Sequence, residues 1–126
     1  RMSLIYHYGV SLGRFSLNRF VELTSTSPAK IFGLFPKKGT IAVGSDADIV
    51  LFDPSVRHTL SAEAQHCKSD FTMFEGKEVL GKPVFSMQRG EIVIEDGELR
   101  RPAGRARFLA GNSGLAAYAP GGHGIE

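Results

Sequence analysis

Leu17, Phe20, Val21 and Thr24 recur at the spacing of one helix face, while Arg19 and Glu22 point elsewhere. Ser16, just after Gly13, is placed to cap that helix at its start, because a serine hydroxyl accepts a hydrogen bond from a free first-turn amide. The pattern predicts helical structure over residues 1–35. Within it, Ser27-Pro28 reads as a restart, since proline suits a first helical position where no donor is needed. Gly33 then reads as the C-terminal cap.

From Gly39 the period becomes that of strands. Thr40 to Val43 is short and β-branched, Gly44-Ser45-Asp46 is a turn, and Ile49 to Phe52 is a continuous apolar run ending at Asp53-Pro54. Such a run predicts a strand buried on both faces. Ser55 to Val79 has weak periodicity and reads as irregular, with a helical turn around Ala62 to His66. Pro83 to Gln88 and Glu91 to Glu95 form a predicted hairpin across Arg89-Gly90, and Asp96-Gly97 signals a second tight turn. Beyond Arg100 the chain turns to Gly, Ala, Arg and Pro. Gly111 to Glu126 carries five glycines among sixteen residues, which predicts a loose tail. Neither an internal repeat nor a heptad pattern is present.

Composition bounds these elements. The chain has 126 residues, 42% hydrophobic and 22% charged, with no tryptophan. That is the make-up of one ordinary globular domain. An eight-stranded β/α barrel needs about 250 residues, so a complete one is excluded. The first apolar stretch, Met2 to Tyr8, lacks the pattern of a signal peptide, and no run nears the roughly 18 apolar residues of a membrane span. The single cysteine, Cys67, excludes an internal disulfide and suits a reducing compartment. The expectation is a cytoplasmic protein with no membrane partner. A net charge of +2 gives no reason to expect a polyanionic partner.

Candidate chemistry is sparse. His7, His58, His66 and His123 are scattered, and His58, His66 and Cys67 are the nearest approach to a metal-ligand spacing. Asp46 and Asp48 form an Asp-x-Asp pair able in principle to hold a cation, but they sit in a turn and precede the strand rather than follow it. Structural turn residues are the favoured reading. Cys67 has no identifiable base. Ser11, Ser45, Ser61 and Ser86 lack a nucleophile-elbow context, and no glycine run leads into a phosphate loop. Arg100, Arg101, Arg105 and Arg107 with Phe108 are a weak nucleic-acid signal, set behind a solvated or subunit-contacting tail.

The run Asn18-Arg19-Phe20-Val21-Glu22-Leu23-Thr24-Ser25-Thr26-Ser27-Pro28-Ala29-Lys30-Ile31-Phe32-Gly33-Leu34, followed by Lys38-Gly39-Thr40-Ile41-Ala42-Val43-Gly44-Ser45-Asp46-Ala47-Asp48-Ile49-Val50, resembles the C-terminal part of dihydropyrimidinases and hydantoinases. The likeness continues through His58-Thr59-Leu60-Ser61-Ala62, Phe74-Glu75-Gly76, Gly81-Lys82-Pro83 and Arg89-Gly90 to Asp96-Gly97. It covers residues 1–108. Gly-x-x-x-Gly-Ser-Asp-Ala-Asp alone marks the amidohydrolase superfamily, and Phe-Glu-Gly with Gly-Lys-Pro narrows it to the dihydropyrimidinase branch.

The resemblance implies a mixed α+β chain: the terminal helices of a β/α barrel (residues 1–35), the C-terminal part of a small composite β-sandwich (36–100) and a flexible or subunit-contacting tail (101–126). It implies a parent enzyme with two zinc ions that hydrolyses the ring amide of hydantoins or dihydropyrimidines to N-carbamoyl amino acids. The family's zinc ligands, a His-x-His pair, a carbamylated lysine, two further histidines and an aspartate, precede this segment. No catalytic, substrate-binding or metal residue is therefore expected here, and this chain alone is expected to bind no zinc and to be inactive. The implied partners are the N-terminal remainder of the same protein, further copies in a homotetramer and a small cyclic amide; nucleic acid is not among them. The alternative parent is a non-catalytic dihydropyrimidinase-like scaffold. Ala106 stands where the family's tail has glycine.

Overall fold

A computed structural model describes residues 1–65, 68–101, 104 and 106–111. Two helical stretches come first. Helix α1 (Met2–Ile5) runs without a break into a wider-wound π segment, Tyr6–Ser11. Ser16 caps the second stretch as expected, its hydroxyl accepting from the Arg19 amide at 3.2 Å. Helix α2 (Leu17–Val21) passes through another π segment, Glu22–Thr26, into α3 (Ser27–Ile31).

The predicted restart at Ser27 is absent. Ser27 keeps helical angles, φ −64 and ψ −46, and its amide donates back to the Glu22 carbonyl. The reason lies in Pro28, which has no N–H and whose ring crowds the carbonyl four residues earlier in α winding. Wider winding just before it accommodates the ring without ending the helix. Gly33 does close the helix, with φ +65, its amide donating to Lys30 and the Leu34 amide to Ala29.

The sheet is a four-stranded antiparallel meander in the order β1 (Ile49–Thr59), β2 (Glu78–Gln88), β3 (Glu91–Glu95), β4 (Glu98–Leu99). Both predicted tight turns are present as two-residue hairpins. Arg89 and Gly90 have φ +50 and +79, and Asp96 and Gly97 have φ +53 and +82, the mirror-image turn that matches strand twist. Strand β1 does not stop at Asp53-Pro54. Its pairing runs from Asp53 opposite Lys82 to Arg57 opposite Leu80, so Pro54, Ser55 and Val56 bulge over the single residue Gly81. A proline without a ladder donor is tolerated in such a bulge. Asp53 steadies it, accepting from the Ser55 amide at 2.8 Å and the Ser55 hydroxyl at 2.6 Å.

Other segments differ from the expectation. Thr40 to Val43 is loop rather than strand, with Ile41 and Val43 exposed, because the segment is closed at its base by the Asp46 amide donating to the Lys37 carbonyl. Ile49 to Phe52 is not buried on both faces: Val50 and Leu51 are exposed, since β1 is the edge of the sheet among the described residues. Around Ala62 the chain makes a single turn, the Gln65 amide donating to the Ala62 carbonyl, and His66, the end of the expected helical turn, lies outside the described residues. Strand β2 also starts earlier than expected, at Glu78 rather than Pro83.

Helices and sheet meet in an aromatic cluster. The Tyr6 ring lies 5.9 Å from Phe20, edge to face, and 4.9 Å from Phe52, with Phe20 and Phe52 5.6 Å apart. Phe20 is 3% and Val79 1% exposed. Gly81, φ +92, passes beneath this cluster, and a Cβ there would stand 2.5 Å from Tyr6 Cδ1 and 2.7 Å from the Phe52 ring. Replacing it with alanine combines an unfavourable left-handed backbone with overpacking. Gly81→Ala is therefore expected to cost about 2–4 kcal/mol, read as a lowered urea midpoint of the complete protein. A midpoint unchanged from wild type refutes the packing role of Gly81.

Candidate functional site

An apolar groove of about 870 Å³ lies between the helices and β1, lined by Tyr6, Val10, Phe20, Val21, Ile49 and Phe52. Its polar end is formed by Lys38, Asp46 and Asp48. The Lys38 Nζ bonds both carboxylates, lying 2.9 Å from Asp46 Oδ2 and in closer contact with Asp48 Oδ2. Asp48 Oδ1 accepts from the Arg89 amide at 2.8 Å, and the Gly90 amide donates to the Ala47 carbonyl at 3.0 Å. Asp48 thus holds the tip of the β2–β3 hairpin.

The other end of the same loop is tied to the helices. Thr26 Oγ1 donates to the Gly39 carbonyl at 2.8 Å, and Gly39, φ +82, presses so closely on Ala29 that a Cβ there would clash with the alanine methyl. The loop over residues 36–48 is a clasp between α3 and the hairpin. This gives Gly-x-x-x-Gly-Ser-Asp-Ala-Asp a physical meaning, with both carboxylates of the Asp-x-Asp pair held by a lysine.

The electrostatics follow the contacts. The Lys38 hydrogen bond holds the Asp46 carboxyl below its ordinary 3.8. Burial works to lower Lys38, but its bonds to Asp46 and Asp48 outweigh this and leave its ammonium above the ordinary 10.5. The Ser55 hydroxyl and amide lower Asp53. His58 is held below 6.5 by burial and then by the Lys82 charge, and its buried Nδ1 has no hydrogen-bond partner among the described residues.

The remaining candidates stay apart or are occupied. His7 Nδ1 accepts from the Leu80 amide at 3.2 Å, which pins the first helical stretch to β2; no sequence spacing signals a bond across 73 positions. His66, Cys67, Arg105 and His123 lie outside the described residues. The Ser11 hydroxyl donates to the His7 carbonyl, Ser45 to Pro36, and Ser61 accepts from the Ala64 amide. Ser86 is a strand residue opposite Val50 and Ile94. Arg100 pairs with Glu95 and Glu98, and Arg101 with Glu91, so those cations brace β3 and β4.

A model of the amidohydrolase family matches residues 1–82. The chain belongs to the amidohydrolase family. It is 49% identical over 109 residues to the D-hydantoinase of Geobacillus stearothermophilus, covering 86% of this chain and 23% of that protein. It is 49% identical to the dihydropyrimidinase of Rattus norvegicus over the same length, 86% of this chain and 21% of the relative. Among solved structures, the dihydropyrimidinase of Brevibacillus agri NCHU1002 superposes with a TM-score of 0.76 at 50% identity, over 79% of this chain and 22% of that one. The L-hydantoinase of Arthrobacter aurescens gives 0.73 at 40% identity, over 77% and 22%. The chain thus spans less than a quarter of the length of these four relatives.

The two zinc ions implied by the resemblance do not fit the residues described. Among them no three His, Cys, Asp or Glu side chains converge. His7 Nδ1 is taken by an amide, Asp46 and Asp48 are held by Lys38, and His58 lies in the field of Lys82.

Two outcomes follow. Asp48→Ala loses the Arg89 amide bond as well as the lysine contact, so it is expected to lower the unfolding midpoint more than Asp46→Ala, by about 1 kcal/mol. Equal losses would mean that Asp48 does not anchor the hairpin. His58, lowered when folded, contributes stability that is present above pH 6.5 and lost as pH falls through its lowered folded value. The urea midpoint should decline between pH 7.5 and 5.5, and His58→Leu should flatten that decline; an identical slope in the variant rules the histidine out as its source.

Proposed function

We propose that these residues are the C-terminal part of a zinc-dependent cyclic amidohydrolase that hydrolyses the ring amide of hydantoins or dihydropyrimidines to N-carbamoyl amino acids. The observation that carries this reading is the half-identity to D-hydantoinase and dihydropyrimidinase, sustained over most of the described chain. Opening a ring amide needs a polarised carbonyl, a water made nucleophilic near neutral pH and a proton for the leaving nitrogen. Such groups must converge within a few ångströms. Among the described residues the clasp carboxylates and His7 are already bonded to structural partners and no metal-binding group of acidic, histidine or cysteine side chains converges, which supports placing the catalytic groups, substrate contacts and zinc ligands elsewhere in the protein.

The work of this region is then structural. Residues 1–35 are the last helices of the barrel, and the meander is one part of a β-sandwich completed by the N-terminal remainder of the protein. The open edge of β1 and the apolar groove beside it support that reading, because exposed strand edges and apolar grooves are liabilities that a longer chain covers. The assembled protein is a cytoplasmic homo-oligomer acting on small cyclic amides.

The test compares two proteins. The complete zinc-loaded protein should hydrolyse dihydrouracil or hydantoin, with release of the N-carbamoyl product. Residues 1–126 alone should release none and retain no stoichiometric zinc after dialysis. Failure of the complete protein on both rings would leave the scaffold reading instead. Turnover or bound zinc in residues 1–126 would falsify the assignment of the chemistry to residues outside them.

A further inference from the structure

We draw no further inference here: the strongest candidate, the apolar groove between the helices and β1, belongs to the reading already given, and nothing in the structure shows which segment covers it.

Discussion

The passage of Gly81 beneath the rings of Tyr6 and Phe52 is the contact on which the rest of the described structure turns. A sheet and a pair of short helices become one body only if an apolar face of each is buried against the other. The burial here is concentrated in three rings and in Val79, the most enclosed side chain. Glycine lets β2 approach the rings at their own radius. The bulge in β1 lies at the same level, with Pro54, Ser55 and Val56 opposite Gly81. His7 adds a directional bond at the next residue, its Nδ1 on the Leu80 amide, so the helix is fixed in register as well as in depth.

A polar clasp does the corresponding work at the far end of the helices. Lys38 with Asp46 and Asp48 is half-buried, where Coulomb attraction is stronger than in water but desolvation offsets much of it. Its value is mainly geometric. Asp48 spends one oxygen on Lys38 and the other on the Arg89 amide, so the loop that leaves α3 also sets where the β2–β3 turn sits. Thr26 and Gly39 fix the opposite end of that loop on the helix. The two pairs of residues make one continuous link from α3 to the hairpin tip.

How far the sequence disclosed this depends on the range of each signal. Ser16, Gly33, Arg89-Gly90 and Asp96-Gly97 were legible because capping and two-residue turns are settled within four or five residues. Pro28 misled because its local meaning, a helix start, is overridden when the preceding turn widens. Thr40 to Val43 has strand propensity but no neighbour to pair with, and β-propensity has force only against a partner surface. Strand β1 beyond Pro54 is hidden in the sequence because the bulge that admits the proline forms only against its partner strand, opposite Gly81, almost thirty positions away. The Asp-x-Asp pair is visible in the sequence as a turn, yet its partners, Lys38 and the Arg89 amide, are visible only in three dimensions.

The placement of the titratable groups bears on the division of labour in the wider protein. Hydrolysis of a cyclic amide calls for several polar groups aimed at one small volume. This region uses its polar groups in the opposite way. Asp46, Asp48, Asp53 and His7 each bind backbone or a neighbouring side chain, and the volume left open beside them is apolar, walled by Tyr6, Phe20, Ile49 and Phe52. A groove of that character accepts apolar side chains and offers little to a polar ring. Val50, exposed on the edge strand and part of the same lining, extends the same apolar character outward. A surface of this kind has the chemistry of a buried packing face: apolar side chains bury favourably against it, because removing apolar surface from water is the dominant favourable term in packing.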